Sequence, residues 1–435
     1  MARADELARQ DDPGVATRAR LLPDLAALRY RDYRLLWSGM LAMSALMPLQ
    51  FTTMLLYLQD TAAEDVRFLL TGLFAALRGG VMLFAGIPGG ALADRFDRRR
   101  LLLTAQGAAI LGNGAIAVIM LTTHGSAPAL AAIFALTLVG GAAMTVDTPA
   151  RQALVPQLVP RERLVNAIAL DAVAMQLAFP LSLPLVGILI ATVGFGGAYA
   201  ASLLGHATVL LMLVQMHGRG APAAPARRVS ILAEMREGLR YTRHTPTVLW
   251  LIVLLLAVMA IGFPAVGSLG PVWVTRVLGV SPAKFGFFGA LWGLGALLAS
   301  VAMTNAGHFP RKGWLVVGGA LTFACCVVLW GYSRSVPVSA ALNLVLGGSL
   351  VVMQVSARSL VQRTVPNAMQ GRVLSLFMLN MGVSQFMAGP VGALYQAFTI
   401  EHVVPVLGWL SLALALGIVL TRPSIRRAGL ASAAE

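Results

Sequence analysis

Long apolar runs recur along the whole chain, separated by short polar or charged breaks. A helix that crosses the hydrocarbon layer of a bilayer needs roughly 20 predominantly apolar residues. By that measure the sequence predicts twelve spans, near 35–58, 68–92, 101–122, 129–148, 163–191, 197–216, 248–274, 284–306, 313–332, 336–357, 372–397 and 403–421. The runs do not alternate apolar with polar residues, which excludes an outer-membrane barrel. The longest break, 217–247, divides the spans six and six. It opens rich in Gly, Ala and Pro and continues as SILAEMREGLRYTRH, where Ile231, Leu232, Met235, Leu239 and Tyr241 fall roughly on one helical face. That pattern predicts an amphipathic helix lying at the membrane surface; a partner-binding helix is the alternative.

Composition sharpens this picture. Of the 435 residues, 58% are hydrophobic and 12% charged, against roughly 45–50% and about 25% in soluble domains. So few charges cannot cover a water-soluble surface, and the mean hydropathy of +0.78 agrees. Two cysteines, the adjacent Cys325 and Cys326, exclude a disulfide scaffold and a Cys-based metal site. The first 20 residues carry Asp5, Glu6, Asp11 and Asp12 and lack an apolar core, so no cleavable signal peptide is expected.

The net charge of +15 suggests nucleic acid only until its distribution is read. Of 33 Lys and Arg, 28 fall in segments on the side of the N-terminus, four on the other side (Arg67, Arg276, Lys284, Arg334), and Arg78 lies inside a span. Cytoplasmic loops carry the excess of Lys and Arg. The expectation is an inner-membrane protein with both termini cytoplasmic. Its parts are a tail at 1–34, a six-helix bundle at 35–216, a cytoplasmic linker at 217–247, a second bundle at 248–421 and a tail at 422–435.

The halves also resemble each other. At an offset of 214, Gly72/Gly286, Phe74/Phe288, Ala76/Ala290, Leu77/Leu291, Gly79/Gly293, Leu83/Leu297 and Ala85/Ala299 are identical pairs. At an offset of 206, Val159-Pro160 matches Val365-Pro366 and Pro184 matches Pro390. A duplicated six-helix unit explains matches in the same order, and two like halves around a midplane site are common among secondary transporters.

Between spans 2 and 3 the chain reads GGALADRFDRRRLLL. This resembles the signature loop of the major facilitator superfamily, with Gly90, Asp94, Arg95, Arg98, Arg99 and Arg100 matching and Asp97 where Gly often stands. RDYRLLWSG, PARQALVPQLVPRERLVNAIAL and VPNAMQGRVLSL resemble the branch of enterobactin exporters and macrolide-efflux proteins. The resemblance implies an all-α membrane protein, twelve transmembrane helices in two pseudo-symmetric six-helix halves. It also implies that the loop locks the halves together, with Asp94 approaching Gly371 and Arg372 at the start of span 11 and Arg98 pairing with Asp147 at the end of span 4. A plain positive-inside cluster is the alternative.

Polar residues inside the spans supply the candidate chemistry. Arg78 lies about ten residues into span 2, roughly 15 Å deep, where an Arg needs water or a partner. It either meets an anionic or carbonyl-rich substrate, or braces helix ends. Asp171 in span 5 is the one acid well inside a predicted span, and a carboxylate removed from water suits proton coupling because desolvation favours its protonated form; local hydrogen bonding is the alternative. Gln50, Asn343, Gln354, Asn380 and Gln385 are candidates for lining a substrate cavity, since amides avoid lipid. Trp292, the repeat mate of Arg78, and the methionines add adaptable apolar lining, or simply pack. His206 in span 6 reads as a helix-packing hydrogen bonder rather than a proton relay. Pro184 and Gly187 in span 5, and Gly389 and Pro390 in span 11, occupy helix bends.

No catalytic motif, metal-ligand spacing or nucleotide-binding loop occurs, so no enzyme activity, metal or cofactor is expected. The expected function is proton-coupled export, by alternating access, of a bulky organic compound such as a drug, macrolide or siderophore; a lipid or lysolipid transporter, or an importer, is the alternative. The expected partners are a small-molecule substrate, protons and membrane lipid, without nucleic acid, around a monomer.

Overall fold

The computed structural model describes residues 25–123, 125–217, 231–305 and 312–427; of 86–95 and scattered helix positions it describes the backbone alone. Those residues are almost wholly helical. Span 1 is Arg31–Thr61, span 2 Arg67–Arg95 and span 3 Arg98–Thr122. Span 4 is Ala127–Met144, continued after a turn at Thr145 and Val146 by Asp147–Leu158. One helix runs over Leu164–Gln215, 52 residues. At 1.5 Å per residue that is about 78 Å, more than twice the ~30 Å hydrocarbon layer. The chain reverses at Gly194, where φ is 70° and ψ is −179°, a conformation that only glycine adopts without strain. The two arms, 164–193 and 195–215, are spans 5 and 6.

Span 7 begins as Pro246–Ala257, loosens into π-helical turns at Val258–Gly262 and Pro264–Ser268, and ends as Gly270–Arg276. Pro264, which lacks an N–H donor, opens the second loosened turn, and Pro271 stands in the first turn of the helix that follows. Spans 8, 9 and 10 are Pro282–Asn305, Lys312–Tyr332 and Val336–Thr364. Span 11 is Asn367–Phe386 plus Ala388–Ala397, broken at Met387 just ahead of Gly389-Pro390. Span 12 is Ile400–Thr421. Ten helices are long and apolar enough to cross a membrane, or eleven with the bent segment that includes span 7. The turn at Gly194 makes one of these a pair, giving twelve crossings among the described residues.

Segment 231–244 is a helix, Ile231–His244. Its described part is bent by 108° from the start of span 7, so it lies across the end of the bundle. Leu239 is exposed, while Gly238 and Thr242 are buried. The helix seats on the second turn of span 11: a β-carbon at Gly238 would lie 3.1 Å from the β-carbon of Arg372, and Glu237 pairs with Arg372 at 2.7 Å. Ile231 and Leu232 lie outside the described side chains.

We call the end where the chain enters span 1 the entry face, and the other the far face. The two halves of the chain meet along two seams. In one, Gly72 of span 2 packs on Ala388 and Gly392 of span 11, and Gly79 on Gly382 and Phe386. In the other, Gly187 of span 5 packs on Ala283 and Gly286 of span 8. A β-carbon at Gly72, Gly187 or Gly286 would overlap a backbone carbonyl across the seam. The repeat mates Gly72 and Gly286 therefore make equivalent contacts, span 2 on span 11 and span 8 on span 5.

Polar contacts close the far face. The Phe68 amide donates to Gln396 Oε1 at 3.1 Å, Gln396 Nε2 donates to the Glu64 carbonyl at 3.0 Å, and the Arg276 guanidinium donates to the Gln59 carbonyl.

Candidate functional site

The signature loop lies on the entry face. Asp97 caps span 3, accepting from the Arg100 amide at 2.8 Å, a favoured role for Asp at a helix start. Arg99 donates to the Leu213 and Val214 carbonyls at 2.9 and 2.8 Å, satisfying the C-terminal end of span 6. The side chains of Gly90, Asp94 and Arg95 lie outside those described. Gly371 has open space around it, and Arg372 binds Glu237 of the surface helix.

Arg98 and Asp147 do not pair with each other in this structure. Arg98 is buried and donates to the Ala153 carbonyl at 3.0 Å. Asp147 is gripped by Arg151, one turn later on its own helix, with Nη2–Oδ1 at 2.8 Å and Nε–Oδ2 at 3.1 Å. The reason is local: residues four apart share a helix face, and the planar guanidinium forks onto both carboxylate oxygens. Both side chains are buried, at 7% and 6% exposure.

Asp147 opens a buried polar chain that the sequence reading did not assemble. Gln106 of span 3 donates to Asp147 Oδ1 at 3.0 Å, and Gln106 Oε1 lies 2.9 Å from His206 Nδ1. His206 Nε2 is 3.1 Å from the Gln50 amide nitrogen and 3.4 Å from that of Asn113. Gln50 also donates to Ser202 Oγ at 3.0 Å, and the Tyr199 hydroxyl donates to Asn113 Oδ1 at 2.8 Å. Gln50, in span 1, is thus tied to span 6 inside the N-terminal half. A faint signal existed in the sequence. Gln106 and Asn113 are seven residues apart, as are Tyr199 and His206, and seven residues, nearly two turns, places each pair on one helix face.

Asp171 sits near the entry face, about 10 Å up span 5. It is half-buried and accepts from the Tyr33 hydroxyl at 3.1 Å, a group that also lies 2.8 Å from the Ala167 carbonyl. The Arg78 guanidinium stands over the Phe51 ring, 5.3 Å from its centroid, and so faces span 1 from span 2.

In the C-terminal half, Trp292 sits edge-on between Phe263 and Phe323, with centroids 6.1 and 6.3 Å away. Asn343 is buried and donates to the Phe288 carbonyl at 3.0 Å, binding span 10 to span 8. Gln354 reaches Asn380 at 3.4 Å, from span 10 to span 11. Gln385 stands at the span 2 seam, its backbone 2.8 Å from where a β-carbon of Gly79 would sit. Pro184 lies in span 5 one turn before Gly187 at the other seam, and Gly389 meets the Ala76 β-carbon of span 2 beside Pro390. These amides are not gathered into one site.

Comparison with known proteins gives the context. The sequence profile of the transmembrane secretion effector family, in the major facilitator superfamily, matches residues 23–428. The chain is 27% identical over 313 residues to the enterobactin exporter EntS of Shigella boydii serotype 4, covering 71% of this chain and 72% of that one. It is also 27% identical over 311 residues to EntS of Escherichia coli O1:K1, covering 70% and 72%. Among solved structures, the nucleoside transporter NupG superposes with a TM-score of 0.75 at 11% identity, covering 89% of this chain and 99% of that one. A POT family transporter bound to a thioalcohol-conjugated peptide superposes with a TM-score of 0.69 at 15% identity, covering 91% and 96%. These structures share the fold.

Proposed function

The chain belongs to the transmembrane secretion effector family of the major facilitator superfamily, and from that premise we propose that it is a proton-driven exporter of a bulky organic compound. It is a multi-pass membrane protein and a secondary transporter of a small molecule. The observation that carries the export direction is the family match over residues 23–428, together with relatives that are enterobactin exporters.

The basic residues put the entry face, and so both termini, in the cytoplasm. The far-face seams then form the outer gate, closed here, so substrate enters from the cytoplasmic side. Opening the far face requires spans 2 and 11, and spans 5 and 8, to part at their glycine contacts, while Gly90, Asp94, Arg95 and Arg98 secure the entry face. The six-helix bundles at 35–216 and 248–421 move as the two bodies of this alternation. Arg78, a cation about midway through the bilayer, takes an anionic or carbonyl-rich part of the substrate, and Asp171 carries or assists proton coupling.

The experiment is efflux from proteoliposomes of the full chain with an imposed pH gradient, using enterobactin and erythromycin as test compounds, alongside a resistance and siderophore-export screen in a pump-deficient host. Efflux that follows the gradient is expected. Downhill flux indifferent to the gradient overturns proton coupling, and net uptake overturns the export direction.

A further inference from the structure

Three of the four basic side chains at the far face are engaged. Arg67 pairs with Glu64 at 3.6 Å and donates to the Ala62 carbonyl. Arg276 donates to the Gln59 carbonyl, and Arg334 pairs with Glu401 at 3.9 Å and stands over the Trp273 ring. The fourth, Lys284, is exposed, and its ammonium has no ion pair or hydrogen bond among the described residues. It lines a pocket of about 550 Å³, a volume in the range of small-ligand sites.

The pocket lies between the turn that joins spans 7 and 8, the start of span 8 and the start of span 10. Gly279, at φ 67°, takes the left-handed conformation that lets the chain turn there. The Leu278 and Val280 amides donate to the Trp273 and Val274 carbonyls at 3.2 and 3.1 Å, which ties the turn to span 7. On the inner side, Phe288 is edge-on to Trp330 and its carbonyl is held by Asn343. The walls are therefore in place before anything binds.

Polarity changes along the depth of the pocket. Ser281 and Lys284 stand at the far end, and Phe287, Phe288, Ala340 and Leu291 follow inward, with Leu291 about 10 Å below Lys284. A phospholipid carries its groups in the same order, phosphate at the surface and acyl carbons beneath. Phe287 is 59% exposed, so the pocket opens sideways to the bilayer. The lining holds one cation and no carboxylate. It can answer a headgroup phosphate, but it offers nothing to an ammonium group beside that phosphate.

The equivalent place in the N-terminal half is occupied by side chains. At the repeat offsets of 214 and 206, Leu70 stands for Lys284 and Phe134 for Ala340. The Phe134 ring lies edge-on to Phe74, the repeat mate of Phe288, with centroids 6.1 Å apart. The C-terminal half thus gives up a ring and gains a charge at one place.

We propose that this pocket is a binding site for an anionic phospholipid of the far-face leaflet, with the phosphate on Lys284 and Ser281 and an acyl chain against Phe287, Phe288 and Leu291. The site stands outside the transport scheme above, and neither export direction nor proton coupling bears on it.

The test reconstitutes the full chain in phosphatidylcholine nanodiscs doped with a phosphatidylglycerol whose acyl chain carries a diazirine near the glycerol. A phosphatidylcholine with the same chain is the second probe, and photo-crosslinks are mapped by peptide mass spectrometry. Crosslinks are expected on Phe287, Leu291 or Ala340, about fivefold more from the phosphatidylglycerol probe. That factor is the roughly 1 kcal/mol that a basic residue contributes at an anionic membrane surface. Lys284→Gln should bring this probe down to the phosphatidylcholine level, and Lys284→Arg should keep it high. Ala340→Phe, which restores the ring of the other half, should reduce labelling by both probes; where it fails to insert, Ala340→Leu narrows the same space. Equal labelling by the two probes in wild type overturns the proposal, as does wild-type labelling of Lys284→Gln. Unchanged labelling in the Ala340 variants overturns it as well, by placing the acyl chain outside the pocket.

Discussion

The interiors of the two halves are built differently. In the C-terminal half, one continuous apolar cluster runs through Leu251, Trp273, Phe288, Phe323, Trp330 and Val404, joined by Leu49, Leu56, Ala75 and Val186 from the N-terminal half. Aromatic edge-to-face pairs stiffen it, such as Phe288 with Trp330 at 5.6 Å. In the N-terminal half the apolar core is split in two. One cluster, around Tyr33, Leu102, Leu154 and Leu213, lies toward the entry face. The other, around Leu58, Ile116, Ile133 and Tyr199, lies toward the far face. Gln50, Gln106, Asp147 and His206 occupy the level between them. A polar group buried in a low-dielectric interior is costly unless paired, and the members of this layer pair with one another across spans 1, 3, 4 and 6.

Four measurements test this contrast. The largest effect belongs to the Asp147–Arg151 pair. Removing one partner of a buried ion pair costs about 3–5 kcal/mol, because the other charge is stranded. Asp147→Asn should lower the melting temperature in detergent and cut efflux, whereas the double variant Asp147→Leu with Arg151→Met should recover most of the stability. Equal melting of wild type and Asp147→Asn would remove the polar layer from the account of stability.

Next come the seams, where the halves ought to behave alike. Gly286→Ala and Gly72→Ala each force a β-carbon onto backbone across the seam, and overpacking of this kind costs about 1–3 kcal/mol. Gly318, with open space around it, is the control. In a background with Cys325→Ser and Cys326→Ser and one cysteine introduced at the far face by Asp65→Cys, the seam variants should raise labelling by a membrane-impermeant maleimide, and Gly318→Ala should not.

In the aromatic cluster, Trp292→Leu gives up two edge-to-face pairs of roughly 0.5–1.5 kcal/mol each. Its loss of stability should be independent of pH and salt. A pH-dependent loss would put Trp292 in contact with a titrating group and blur the contrast.

The smallest effect is at the surface helix. Glu237 is half exposed, and exposed ion pairs contribute about 0–1 kcal/mol. Glu237→Gln should leave melting nearly unchanged and speed proteolysis of the linker at low salt, with the difference vanishing at high salt.

Much of the architecture is legible in the order of the residues. Span lengths follow from the thickness of the bilayer, and the basic bias follows from how loops are retained in the cytoplasm, so both are written locally. The repeat was legible too: the identity of Gly72 with Gly286 anticipates that both sit at equivalent close approaches. Family motifs at 90–100 and 149–170 located the loop ends of the N-terminal half.

Which polar groups meet is settled by the packing of the helices. Arg98 and Asp147 face the same end of the bundle, yet Arg151 lies one turn from the carboxylate and takes it. Gln50, Gln106, Asn113, Asp147 and His206 come from four separate spans, with sequence separations up to 156 residues between hydrogen-bonded partners. Helical periodicity tells which residues share a face of one helix, but it does not say which neighbour that face is turned toward. That depends on how the helices rotate as they pack, a property of the whole bundle.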